Sequence, residues 1–254
     1  MSDAERAIEL GLNHICFYNL VCYKGLGTAW SEDDEIMSTL PTQHQGFENW
    51  LALYHYLETQ DYFPITVTDF GNSHRMDESI YQYEQCLRTP EQYDWIGFGP
   101  AAISSLYNLN FTRGIKFTNY SSMEQYIRAV NENRFGWEKA FQYEPQDLRI
   151  FWLTRQIKGT SINTEKYFSH FQSDLLLDWS IWLLLMADNG LMIKEKETWK
   201  LTPKGMFYVD SMAGFLAVER VNFLNERSYR RELREERFRN FKAIKPQEKE
   251  SRQD

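Results

Sequence analysis

The stretch Tyr54 to Gly71, YHYLETQDYFPITVTDFG, runs from the end of a helix into a strand, and that junction decides the fold class. Just upstream, Phe47, Trp50, Leu51, Tyr54 and Leu57 recur at helical spacing, which predicts one amphipathic helix over 47–57. Phe63 to Phe70 then gathers aromatic and β-branched residues, the mark of a strand. Working outward, His14 to Cys22 (HICFYNLVC) is a second strand-like run, preceded by a helical Asp3 to Leu10 that Gly11 stops. Trp95 to Leu106 (WIGFGPAAISSL) carries a third, with a glycine turn. Strand, helix and strand with short connections predict parallel pairing and an α/β layer.

The text changes after Phe117. Ser121 or Ser122 is placed to cap a helix, with Glu124 or Gln125 where a capping box needs it. Helical patterns follow over Leu148 to Ile157 and Thr164 to Asp188, broken at Gly190. A hairpin is predicted over 191–201, turning at Glu195 to Thr198, and Thr202-Pro203-Lys204-Gly205 opens a last apolar helix through Val218. Helix, helix, two-stranded wing and helix is the order of a winged-helix-like module. From Glu226 onward the chain holds ten Lys/Arg and seven Asp/Glu, which predicts an exposed charged helix fraying into a disordered tail. The expected division is an α/β part over 1–117, a helical module over 118–225 and a charged tail over 226–254.

At 254 residues and 43% hydrophobic the chain can bury a sizeable core, which excludes wholesale disorder. Its 16% aromatic share fills a core or lines a pocket for flat ligands. A net charge of −8 argues against general nucleic-acid binding, whose phosphate contacts need Lys and Arg. Cys16, Cys22 and Cys86 are too few for a disulfide framework and form no CxxC clip, so no metal ligands are assigned. Met1 leads into polar helix rather than a secretory signal, and no uncharged apolar run approaches the ~20 residues of a membrane span. A cytoplasmic protein without a membrane segment is expected.

Few motifs carry chemistry by themselves. Gly97-Phe98-Gly99-Pro100, at a strand end, either lets a ligand approach the backbone or makes a tight structural turn; it lacks the third glycine of the dinucleotide fingerprint. Glu32-Asp33-Asp34-Glu35 reads as a solvated loop or helix start. His14, His44, His55, His74 and His170 are scattered, without ligand spacing. No serine sits in a nucleophile elbow. Asp69 is the better site candidate, because strand ends open into the cleft of an α/β barrel.

Three stretches, AIELGLNHICFYNL (Ala7 to Leu20), YHYLETQDYFPITVTDFG and YDWIGFGPAAISSL (Tyr93 to Leu106), resemble in order the later half of radical S-adenosylmethionine enzymes. The subgroup they resemble is the oxygen-independent coproporphyrinogen III oxidases, together with the related haem chaperones and haem-opening methyltransferases. GLMIKEKETWKLTPKGMFYVDSMAG (Gly190 to Gly214) is similar to that family's C-terminal helical module. The resemblance implies the later strands of a partial TIM-type (β/α) barrel, followed by a winged-helix-like domain. It also implies contacts to S-adenosylmethionine from Val21, Gln85 and Ile103: a backbone approach, a polar contact and an apolar contact in turn.

The family's CxxxCxxC loop for a [4Fe–4S] cluster and its glycine-rich strand end have no counterpart in this text. The resemblance therefore implies a tetrapyrrole-handling protein completed by a second polypeptide that carries the cluster and the first strands. Two alternatives stand beside it. One is a non-catalytic haem or porphyrin binder with His14, His55 or His74 as axial ligands; the other is a winged-helix DNA-binding regulator.

Overall fold

The computed structural model describes residues 2–18, 28–74 and 82–244, with the side chains of 82, 84, 85 and 229–244 excepted. The first part comprises α1 (Ser2–Glu9), β1 (His14–Cys16), a 3-10 turn (Ala29–Ser31), α2 (Asp34–Thr39), α3 (Gln43–Thr59), β2 (Tyr62–Pro64), β3 (Asp69–Asn72) and α4 (Gln82–Arg88). The acidic run is a helix start: Asp33 caps α2 by accepting from the amides of Glu35 and Ile36 at 2.9 and 3.1 Å. Thr42 and Gln45 form a capping box on α3. That helix buries Trp50, Tyr54 and Leu57, with the Trp50 and Tyr54 rings 5.8 and 6.0 Å from Phe70 of β3.

The predicted parallel pairing is not what forms. The sheet order is β1-β3-β2 and both ladders are antiparallel. Phe63 to Phe70, expected as one strand, is two strands folded back on each other. The cause lies in its threonines. Thr66 Oγ1 accepts from the amides of Thr68 and Asp69 at 3.2 and 3.1 Å, and the amide of Ile65 donates to Asp69 O at 2.7 Å. Side-chain bonds to the local backbone replace an extended run with a turn. β1 and β2, joined through α3, still share a direction, but β3 lies between them.

A second antiparallel sheet comprises β4 (Ile103–Tyr107), β5 (Gly114–Asn119) and β6 (Trp137–Tyr143), with α5 (Met123–Asn131) between the last two. Ser122 is the cap of α5, accepting from the Gln125 amide. The remainder is α6 (Pro145–Lys158), β7 (Ser161–Asn163), α7 (Thr164–Phe171), α8 (Leu175–Asp188), β8 (Met192–Glu195), β9 (Thr198–Leu201), α9 (Pro203–Phe207) and α10 (Val209–Ile244). β7, absent from the sequence expectation, joins the hairpin to make a three-stranded sheet of order β7-β9-β8. The predicted helix over 164–188 is split at Gln172, which takes a left-handed conformation, and Asp174 caps the second half. Leu148, Trp152, Leu153, Ile157, Ile162, Tyr167 and Leu183 are fully buried, so much of the aromatic content here is core.

The chain divides into two compact units, 1–213 and 214–254. The second unit is helical through Ile244; the fraying expected beyond it falls on residues outside the described ones. Among the described residues no helix is long and apolar enough to cross a membrane.

Candidate functional site

Three donor side chains meet on one face of the first sheet. Cys16 is directly opposite Asp69 in the β1–β3 ladder, and His14 stands opposite Gly71. Residues two apart on a strand share a face. His14 and Cys16 thus lie on the Asp69 side, while Ile15 and Phe70 turn the other way and are buried. Because Gly71 offers no side chain, the His14 ring can lean across to Asp69. His14 Nε2 is 3.0 Å from Asp69 Oδ1 and 3.8 Å from Cys16 Sγ, and the Cys16 thiol donates to the same Oδ1.

The carboxylate is held from behind: Thr66 Oγ1 and Thr68 Oγ1 both donate to Asp69 Oδ2, the latter at 3.0 Å. Asp69 is almost wholly buried, His14 partly so, and Cys16 is exposed. Burial lowers the His14 pKa below its ordinary 6.5, and the nearby Asp69 charge only partly offsets that. The neighbouring Cys16 sulfur is the main cause pushing the exposed Tyr18 phenol up.

Beside this cluster opens a cavity of about 300 Å³. Phe17, Trp50 and Phe207 supply aromatic walls, and Arg88, Arg155 and Lys158 supply positive charge. Arg155 lies over the Phe151 ring at 5.1 Å, and Lys158 pairs with Asp210 at 3.1 Å. Arg88 packs so tightly on Gly159 that an added Cβ would stand 2.2 Å from its Nε.

The GFGP stretch is a structural turn. Gly97 lies against β4, where a Cβ would come within 2.5 Å of Ile103 O, and Gly99 has φ +99°. The two glycine amides donate to Ser104 Oγ and Tyr126 OH at 3.0 and 3.1 Å, so neither is turned outward for a phosphate. An apolar hollow of about 340 Å³ adjoins it, lined among others by Ile96, Phe98, Leu106, Phe117 and Trp137. Trp137 stacks between Phe117 and Phe135 with centroids 3.9 and 4.3 Å away.

Of the three cofactor contacts implied by the resemblance, Ile103 opens β4 and is half-exposed, its backbone against Gly97. Gln85 lies on α4 with its side chain outside the description, and Val21 falls outside the described residues. The histidines expected as axial ligands go to separate places. His55 pairs with Glu58 on the exposed side of α3, and His74 with Asp61. His170, which showed no partner in the text, pairs with Glu91 at 3.1 Å. On the β8–β9 hairpin, Lys200 is paired with Glu195 and Lys194 lies over Trp199.

Sequence reasoning chose Asp69 and missed its partners. The available signal was the His-x-Cys alternation in a predicted strand, which places both side chains on one face. Arg155 and Lys158 were invisible as site residues, since nothing in the text links α6 to Arg88. Among the described residues the donors do not fit a [4Fe–4S] cluster, which needs converging thiolates. Cys16 faces His14 and Asp69, whereas Cys86 lines another cavity with Tyr93 and Gln156.

No family model matches the chain, and no curated protein matches it by sequence. Among solved structures it is similar to coproporphyrinogen III oxidase from Escherichia coli, a radical SAM enzyme, at 15% identity and a TM-score of 0.61. The likeness covers 84% of this chain and 49% of that one, so the chain spans about half that protein's length. What the two share is a mixed α/β fold of helices and small sheets.

Proposed function

We propose that this chain is the tetrapyrrole-handling portion of a coproporphyrinogen oxidase-like radical S-adenosylmethionine protein, with the cluster-bearing part supplied by another polypeptide. The carrying observation is the cavity beside Asp69, where aromatic walls stand with three cationic side chains and the carboxylates of Asp69 and Asp210, the latter paired with Lys158. Porphyrinogens and porphyrins join a broad apolar ring to carboxylate arms, and this lining suits one such edge. Arg88, Arg155 and Lys158 would orient the carboxylates, while Phe17, Trp50 and Phe207 would exclude water from the ring. Support for the fold comes from the likeness to the bacterial enzyme. The order α6, β7, α7, α8, β8, β9 supports reading the later part as a winged-helix-like module.

S-adenosylmethionine, when bound, supplies a radical source; Ile103, Gln85 and Val21 remain its proposed contacts. No step is assigned to an iron–sulfur cluster on this chain, because its described thiols do not converge. The test is absorbance titration with metal-free coproporphyrin, which separates the cavity from any ligation by histidine. The expected result is saturable binding at micromolar concentration, weakened at least tenfold in Arg155→Ala/Lys158→Ala, a loss on the order of 1.4 kcal/mol. Absence of binding would remove the proposal. With reductant and S-adenosylmethionine the isolated chain should yield no 5′-deoxyadenosine, and a partner captured anaerobically should restore it. Binding without any such partner would favour the non-catalytic binder.

A further inference from the structure

We propose that His14, Cys16 and Asp69 supply three ligands of a binding site for one divalent ion of the zinc class. The donor atoms lie within 4.8 Å of one another. What singles the cluster out is that the three contacts among these residues share one nitrogen, one oxygen and one sulfur. His14 Nε2 faces both Asp69 Oδ1 and Cys16 Sγ, and Sγ faces the same Oδ1. A nucleophile–base relay would engage the two ring nitrogens separately, one toward the thiol and the other toward the carboxylate. Convergence on a single nitrogen and a single oxygen is instead the arrangement that one shared cation asks for.

Dimensions and chemistry agree. Zinc bonds of roughly 2.0 Å to nitrogen and oxygen and 2.3 Å to sulfur, set tetrahedrally, give donor separations of about 3.3–3.6 Å. The observed 3.0 Å from Nε2 to Oδ1 and 3.8 Å from Nε2 to Sγ lie near that range, whereas Sγ and Oδ1 stand closer together and would separate on loading. Thr66 and Thr68 hold the carboxylate through its other oxygen, so Oδ1 keeps its aim, as outer hydrogen bonds do at metal sites. The sheet fixes Cys16 against Asp69 by register, and Gly71 clears the path for His14. An imidazole, a thiolate and a carboxylate form a mixed donor set suited to zinc and its neighbours rather than to calcium or magnesium. Loading displaces one proton, from the Cys16 thiol, while the neutral His14 imidazole would offer Nε2 and keep its proton on Nδ1. The thiolate and carboxylate then neutralise the divalent ion.

The experiment uses the full chain after chelator treatment, titrated with Co²⁺ as a visible stand-in and competed with Zn²⁺. The expected result is one equivalent of Co²⁺ with a thiolate-to-metal charge-transfer band, bleached by Zn²⁺. Cys16→Ser should abolish the band. Asp69→Asn and His14→Ala should each weaken binding at least tenfold, while Cys22→Ser and Cys86→Ser leave it intact. Circular dichroism confirms that the variants fold, and the exposed Cys16 gives a test that does not disturb the core. A band that survives Cys16→Ser, cobalt bound without a thiolate band, or no stoichiometric uptake overturns the proposal.

Discussion

Gly205 is the residue on which the junction of the β8–β9 hairpin and α9 turns. A Cβ there would stand 2.0 Å from Leu191 O, a backbone atom with nowhere to swing. Thr202 binds the same corner: its amide donates to Leu191 O at 3.0 Å, its hydroxyl to Gly190 O at 2.8 Å, and its oxygen accepts from Gly205 at 3.0 Å. Gly205→Ala should therefore destabilise the protein by about 1–3 kcal/mol through overpacking, read as a lower urea midpoint. Gly214→Ala, which meets nothing within 4 Å, should instead leave the midpoint unchanged or raise it. The turn-opening role of Thr202-Pro203-Lys204-Gly205 was legible in the text; the carbonyl that forbids a side chain was not, because it comes from a residue brought near only by the hairpin.

At the level of elements, the β2–β3 turn shows where local chemistry overrides pattern. Thr66, Thr68 and Val67 have strand propensity, and the run around them is apolar enough to read as one strand. The Thr66 hydroxyl oxygen nevertheless serves two amides and its proton serves Asp69. Thr66→Val keeps the shape and removes all three bonds, so it should cost about 1–3 kcal/mol per polar group left without a partner. Thr66→Ser, which keeps the hydroxyl, should retain most of the stability; chemical denaturation of the two variants separates the cases. Helices fared better from sequence because caps and periodicity are written locally, as at Ser122 and along α3, although the start of α3 at Gln43 was missed. Strand direction was not legible, since it depends on which short segments fold back. The Asp69 site was half legible: the residue was singled out as ending a strand, whereas it opens the antiparallel β3, and its partners come from a ladder that no local signal announces.

Over the whole molecule, buried phenols set a limit on the alkaline side. Tyr54 on α3 and Tyr107 on β4 are each pushed up to about 12, chiefly by burial. Tyr167 on α7 is also raised, by burial and by its hydroxyl donating to Asp178 at 2.7 Å. Unfolded tyrosines ionise near their ordinary 10. Above that pH the unfolded chain binds fewer protons than the folded one, and stability falls as pH rises. The phenols' contribution is thus complete below about pH 10 and drains away as pH climbs toward the folded values. Thermal melts between pH 9 and 12 should show this decline, and Tyr167→Phe should make it shallower while costing stability at neutral pH, because Trp179 Nε1 loses its acceptor.

The latched turn at Gly97 and Gly99 has a bearing on whatever touches it. With the amides on either side tied to Ser104 and Tyr126, the backbone of Phe98 is held in place even though its ring is almost fully open to solvent. In hydrogen-exchange terms the two glycine amides should be slow in a loop whose surface position alone predicts fast exchange. A surface that covers the Phe98 ring would find it already ordered and would lose little conformational entropy in doing so.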